Sequence, residues 1–337
     1  MSDGAVVSPA DTRDPSPTPP ASPPRTERFP WAYVLVIGLL IAGPLWLTPY
    51  VQSPALQTWA TIFVAICVQA LPFLVFGVAL SAAITAFVPA TFWARALPRH
   101  PAAAVPVAGL AGAVLPGCEC ASVPVAGGLM ARGVTPAAAL AFLLASPAIN
   151  PVVLVATAVA FPGTPLMVVA RFAASLLVAV LAGWAWARFG RSEWLRIPVR
   201  PADARGWTAF AEAMLHDLLH AGGFLVVGGL AAATLNVVVP QSWVTGLAGV
   251  PWLSVLTLAV LAVILSLCSE ADAFVAASLT PFPMTAKLAF LVVGPMVDLK
   301  LIALQAGTFG RRFVTRFVPL TFVLGVLVSA VIGWVLL

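Results

Sequence analysis

Charge is what this chain has least of. Of its 337 residues only 9 % are Asp, Glu, Lys or Arg, where a soluble domain carries about 25 %. A soluble core of this size needs a polar shell, so an ordinary cytosolic enzyme is excluded. Cysteine is scarce as well. Four residues make no disulfide scaffold, and no paired CxxC set forms a zinc finger. There is no Walker A loop, no GxGxxG between strand and helix, and no HExxH. No enzymatic activity and no cofactor are therefore expected, and any active transport is expected to draw on a gradient or on a separate partner. The formal charge is +5, and nearly all of the 17 basic residues are Arg. They gather in short clusters between apolar runs, as cytoplasmic loops do, so nucleic acid is not an expected partner.

Apolar residues make up 61 % of the chain, with a mean hydropathy of +1.04. They come in long runs, so the expected solvent is a lipid bilayer. The expectation is an all-α, polytopic membrane protein with about seven to nine spans, as hydrophobic length allows. Residues 1–30 hold eight prolines and no apolar run, and are expected to form a disordered tail, not a signal peptide. A first span and loop cover 31–55, with the span at about 31–48. The next apolar run is 56–88. Residues 104–130 are apolar but interrupted by Pro106, Pro116, Pro124 and several Gly. Spans at about 136–160 and 165–187 close a first half, 56–187. An Arg-rich cytoplasmic linker follows at 188–212, and 213–337 forms a second half. Within it, 207–220 reads as an interfacial helix leading into a span that ends near 239. Runs at 251–279, 284–308 and 313–336 complete the chain.

The halves echo one another. Phe73-Leu74-Val75 with Gly77 matches Phe224-Leu225-Val226 with Gly228, and Pro89 matches Pro240, at an offset of 151. At an offset of 148, Cys120 matches Cys268, Pro147 matches Pro295 and Asn150 falls on Asp298. With Arg-rich loops inside and a cytoplasmic N-terminus, the two halves come out inverted in the membrane. Inverted repeats with broken segments are a recurrent transporter architecture; a parallel repeat stays open if each broken stretch crosses once.

Two broken segments carry the candidate chemistry. In Pro116-Gly117-Cys118-Glu119-Cys120-Ala121-Ser122-Val123-Pro124, proline and glycine forbid one regular helix. In an irregular loop, Cys118 and Cys120 can both turn toward one soft, thiophilic solute; the alternative is that they are small buried hydrophobes. In Ser266-Leu267-Cys268-Ser269-Glu270-Ala271-Asp272, a thiol precedes two carboxylates inside an apolar run. A carboxylate at membrane depth is a functional candidate by default. Glu270 and Asp272, and more weakly Glu119, are candidates for proton coupling, because close carboxylates cannot both ionise cheaply. Ser146-Pro147-Ala148-Ile149-Asn150-Pro151 and Gly294-Pro295-Met296-Val297-Asp298 break two further spans, making Asn150 and Asp298 candidate substrate contacts. Asp298 and Lys300, two apart, do not share a helix face, so Lys300 is expected to snorkel outward. Arg171 can face headgroups or the bundle. Cys67 reads as packing. His216 and His220, four apart, lack a third metal ligand.

These four segments, in this order, resemble the UPF0718 (DUF318) family of predicted permeases, whose best understood branch is the arsenic-related ArsP permeases. The resemblance covers about residues 56–337. It implies a bacterial inner-membrane permease and, in the arsenic branch, export of trivalent organoarsenicals such as methylarsenite. It makes Cys118, Cys120 and Cys268 candidate As(III) ligands. The alternative is a permease for another solute, such as a divalent metal, a metal complex or a small organic ion. Expected partners are the bilayer and a small thiophilic solute; a homo-oligomer stays open.

The inverted arrangement is testable by labelling single cysteines in a cysteine-free background. Cysteines placed at positions 100, 132, 162, 205 and 245 should be reached from the inside, inside, outside, inside and outside, respectively. Positions 100 and 132 on opposite faces would replace the re-entrant hairpin by one crossing.

Overall fold

The computed structural model describes residues 54–87, 92, 98, 100–114, 119–197, 206–238 and 251–337. The N-terminal tail, the apolar run at 31–48 and Cys118 lie outside the described residues. Among those described, every regular element is helical. They are α1 (Pro54–Phe87), α2 (Pro101–Ala111), α3 (Glu119–Ala131), α4 (Pro136–Ile149), α5 (Pro151–Ala160) and α6 (Leu166–Phe189). After a 3₁₀ turn at Ser192–Trp194 come α7 (Trp207–Val238), α8 (Pro251–Leu265), α9 (Asp272–Ser278), α10 (Met284–Val293), α11 (Leu299–Phe309) and α12 (Arg311–Leu336). Among the described residues, five segments are long and apolar enough to cross a membrane: Pro54–Phe87, Pro136–Ala160, Leu166–Phe189, Phe210–Val238 and Arg311–Leu336. The protein is an all-helical, polytopic membrane protein.

Proline sets where many of these helices begin. Pro54, Pro101, Pro136, Pro151 and Pro251 each occupy a first helical position, where a missing N–H costs nothing and the fixed φ suits the helix. The apolar runs at 136–160 and 284–308 each divide in two. Asn150 caps α5 by accepting from Val153 N at 3.0 Å, and its Nδ2 donates to the Ser146 carbonyl at 3.2 Å. Asp298 caps α11 in the same way, accepting from Leu301 N at 2.6 Å. Two residues 148 positions apart thus do the same local work.

The whole element order recurs: α1–α6 is followed by α7–α12. Packing recurs with it. Gly183 of α6 lies so close to α4 that a Cβ would stand 3.0 Å from the Ala137 carbonyl oxygen; at Gly333 of α12 it would stand 3.0 Å from Thr285 Cα of α10. Gly112 lies against Ser146, where a Cβ would stand 2.7 Å from the Ser146 nitrogen; Gly294, at the position matching Ser146, is in ordinary contact with Ala262. Close backbone approach at small residues is how helices associate where lipid supplies no hydrophobic drive.

The centres of the two halves are α4 and α10. Every residue of α4 from Ala137 to Ile149 is buried, and so are Ala286–Val293 of α10. A helix that is apolar all round belongs inside. By contrast, α1, α7 and α12 expose Val68, Leu71, Phe76, Val227, Val323, Leu327 and Trp334, faces suited to lipid. At one end, α6 and α12 are joined by an aromatic cluster of Trp186, Trp194, Phe313 and Phe317, with Arg316 over the Trp194 ring at 4.1 Å.

One boundary differs from the sequence expectation. Residues 207–220 are not a separate interfacial helix but the first part of continuous α7. No proline interrupts 207–238, so the hydrogen-bond ladder runs through Gly222 and Gly223. His216 and His220 stack at 6.1 Å, and His220 Nε2 lies 3.1 Å from the Gly307 carbonyl oxygen of α11, which ties this part of α7 to the bundle.

Adding a methyl at either matched glycine should loosen its half. Gly183→Ala and Gly333→Ala should each cost about 1–3 kcal/mol, whereas Gly163→Ala, with nothing within 4 Å of the new Cβ, should be neutral. Thermal unfolding of the solubilised protein, read by tryptophan fluorescence, checks this.

Candidate functional site

Helix α3 opens on Glu119 and Cys120. An acidic residue in the first turn meets the positive end of the helix dipole. Helix α11 opens on Leu299 and Lys300. A cation there opposes its own helix dipole and needs anions close by, and two are present. Lys300 Nζ donates to Glu119 Oε1 at 2.6 Å and stands 3.5 Å from Asp298 Oδ2. Glu119 and Asp298 are fully buried, and Lys300 is 3 % exposed. The expectation that Lys300 snorkels outward is therefore corrected: it turns inward to Glu119 of the other half. The helix-face argument against an Asp298–Lys300 pair fails because Asp298 is the N-cap, outside the helical repeat.

A second ion pair joins the halves elsewhere. Arg171, buried on α6, donates through Nη1 to Asp272 Oδ1 at 3.0 Å and through Nη2 to Oδ2 at 2.9 Å. Nη1 also donates to Thr157 Oγ1 at 2.9 Å, and Nη2 to the Ser269 carbonyl at 3.3 Å. This planar fork matched to a carboxylate is the strong, directional form of the interaction. It places Asp272 against a guanidinium at the start of α9, beside α5. Glu270 is only half buried.

Between α8 and α9 the chain runs through the irregular stretch 266–271. Ser266 has φ +48°, a backbone region costly for a side-chain-bearing residue. In that position its hydroxyl donates to the Val263 carbonyl at 2.8 Å and accepts from Leu299 N at 3.1 Å. The break is thereby fastened to the first turn of α11, and Cys268 is carried toward Lys300.

Cys120 and Cys268 both lie within electrostatic reach of the Lys300 ammonium. Neither they nor Cys67 are disulfide-bonded. Cys268 and Lys300 line a cavity of about 190 Å³, with Gln69 and Ala70 of α1, Asn236 of α7 and Ser266. That volume is smaller than the roughly 300 Å³ at which drug-sized pockets begin, so it suits a small solute. Cys67 of α1 is half buried and is not part of this lining. Among the described residues, no three His, Cys, Asp or Glu side chains gather as a metal-ligand set.

Of the candidate residues, the fold brings Glu119, Cys120, Cys268 and Asp298 around Lys300 and sets Asp272 on Arg171. Asn150 is a buried helix cap. Sequence reasoning did not assign Lys300 and Arg171 as the cations that organise these clusters. One signal was present: Arg171, Lys287 and Lys300 are the basic residues that lie inside apolar runs and not in the loop clusters.

Comparison with known proteins agrees with this architecture. The model of a family described as "Predicted permease" (ArsP_1) matches residues 55–334. The chain belongs to this permease family. It is similar to UPF0718 protein YcgR of Bacillus subtilis, 33 % identical over 82 % of this chain and 97 % of that protein. It is also similar to a Streptococcus mutans protein provisionally named as a subunit of a two-component membrane permease complex. That likeness is 30 % identity over 84 % of this chain and 97 % of the relative. No solved structure matches.

The Arg171–Asp272 pair should behave as a buried ion pair. Arg171→Met should destabilise the protein by about 3–5 kcal/mol, because it strands Asp272, while Arg171→Met combined with Asp272→Leu should recover most of the loss. A double-mutant cycle on denaturant unfolding in detergent measures the difference.

Proposed function

We propose that this permease exports a thiophilic solute down a coupled gradient, with trivalent organoarsenicals such as methylarsenite as its substrates. The observation that carries the reading is that Cys268 lines a small cavity with Lys300, while Cys120, from the other half, is also within electrostatic reach of that ammonium. Two thiols satisfy a singly methylated As(III). Cys118 supplies a third thiol, so that the solute passes by stepwise exchange and is not trapped; a site that holds too tightly cannot turn over. Asn150 and Asp298 keep two spans broken, and Glu119, Glu270 and Asp272 are the candidate carboxylates for coupling. The two halves, 56–187 and 213–337, are inverted in the plasma membrane, with the Arg-rich linker and the N-terminus on the cytoplasmic side.

The polar lining of the cavity favours one other reading. Gln69, Asn236 and Lys300 supply amide and ammonium groups, which suit a small organic ion recognised without its bonding to sulfur.

Initial methylarsenite flux into everted vesicles, at equal protein abundance, separates the two. Cys118→Ser and Cys120→Ser should each lower the flux at least tenfold, Cys268→Ser should lower it measurably less, and Cys67→Ser should leave it unchanged. Arsenate should not be carried. Full flux in the Cys118→Ser/Cys120→Ser protein would eliminate the thiol-ligand reading and favour the organic ion.

A further inference from the structure

The two ion-pair clusters differ in their charge count. At Arg171 one cation faces one buried carboxylate, Asp272. At Lys300 one cation faces two buried carboxylates, Glu119 and Asp298. With both ionised, that cluster carries a net charge of −1 in an interior where an uncompensated charge is not tolerated. Glu119 Oε2 is buried with no hydrogen-bond partner among the described residues, and Asp298 Oδ2 has only the long contact to Lys300 Nζ at 3.5 Å. Buried polar atoms are normally satisfied, so these oxygens leave room for a donor, and a proton bound to one of them also supplies the missing positive charge.

The N-termini of α3 and α11 face Glu119 and Asp298 with partial positive charge only, and among the described residues no other cationic side chain faces the cluster. Helix α1, packed against α3, has Cys67 as its one titratable side chain, and α4 has none. On α7 the ionisable residues Glu212, His216, Asp217 and His220 all precede Gly228, which lies against Lys300. The nearest of them is eight residues away, about 12 Å along the helix. On α12, Arg311, Arg312 and Arg316 lie beyond the far end of α11. On the broken stretch, Cys268, Glu270 and Asp272 add no cation, and Arg171 is engaged by Asp272. Cys120, the other titratable side chain on α3, is likewise no source of positive charge.

We infer that the Glu119–Lys300–Asp298 cluster binds one exchangeable proton, shared between the two carboxylates while Lys300 stays an ammonium. The step balances simply: one carboxylate takes one proton and becomes a neutral carboxylic acid, and the cluster becomes neutral. The inference deepens the proposed function and rests on that reading for its consequence: this is the site where the driving gradient enters. Cys120 follows Glu119 in sequence and Cys268 lies beside Lys300, so a solute held by the thiols and a proton held by the carboxylates act on one ammonium. Occupancy of either site therefore changes the charge that the other meets, which is what couples them. The site lies on the α3–α11 contact and not on the Glu270–Asp272 pair that the sequence singles out.

The test needs no solute. The full chain, reconstituted in bilayers, is titrated from pH 5 to 9 while the infrared C=O stretch of protonated carboxyl groups is followed by its shift in D₂O. The wild type should show this band at neutral pH. Asp298→Asn, which keeps a capping side chain of the kind Asn150 uses, should abolish it, and so should Glu119→Gln. Lys300→Met, which leaves two carboxylates and no cation, should double it. Glu119→Gln with Lys300→Met should restore the wild-type intensity. A band that is absent from the wild type, or that survives both Asp298→Asn and Glu119→Gln, overturns the inference; its loss in Glu270→Gln alone would move the proton to that residue. Methylarsenite flux with and without a proton gradient is read on the same preparations. If the infrared pattern holds and flux ignores the gradient, the proton site stands and the gradient-driven reading falls. If flux follows the gradient and the band ignores Asp298→Asn, the reading stands and the site falls.

Discussion

A charge buried in an apolar bundle must be met by an opposite charge. In this protein the opposite charge comes from the other half of the chain. Glu119 meets Lys300 and Asp272 meets Arg171, across separations of 181 and 101 residues. Lys300 also has Asp298 of its own half, but buried Glu119, Arg171 and Asp272 find their counter-charges across the halves, which ties the halves together in one register. The energetic worth of such pairs lies less in net stability than in the cost of leaving one member alone. That makes them suitable joints for a transporter, where halves must move without coming apart.

The joints sit at helix starts, and this follows from how the helices are broken. A span divided by Pro147 and Asn150, or by Pro295 and Asp298, presents a new N-terminus inside the protein. Free backbone N–H groups there require acceptors. Asn150 and Asp298 provide them locally, and Ser266 provides another for α11 from a separate segment. Irregular backbone within a membrane protein is tolerated where it is buried or lines a cavity, and the stretch from Ser266 to Cys268 does both. The small residues Gly77 and Gly228 let α1 and α7 lie directly on α3 and α11, against Ala121 and Lys300 respectively. The cavity is the space left where these helices part.

The duplication is close but not complete, and the difference matters for function. The pairs α3–α11 and α9–α5 correspond under exchange of the halves. Only the first is covered by both α1 and α7 among the described residues. The two thiols, the extra carboxylate and the cavity are all on that covered side. The other crossing is a simple bidentate ion pair between Arg171 and Asp272.

Much of this was legible in the residues. Apolar run length determined that the chain is a helical membrane protein, because only lipid dispenses with a polar shell. Proline and glycine marked where apolar runs are interrupted, because a fixed φ and a missing N–H act locally. Offsets of 148 and 151 revealed two related halves, and Cys120, Cys268, Glu119, Asp272 and Asp298 stood out because polar groups in apolar runs are costly. What the sequence could not determine was pairing. Lys300 reads as a residue free to reach the surface, and Arg171 as one with no stated neighbour, since helical spacing relates residues three and four apart and says nothing of a partner a hundred positions away. The continuity of α7 escaped for a related reason: its polar N-terminal part looks interfacial until α11 supplies a carbonyl for His220. Local chemistry is written in local sequence, whereas charge neutralisation in a low-dielectric interior is a property of the assembled bundle, so only the tertiary structure decided which carboxylate each cation answers and which carboxylate is left over.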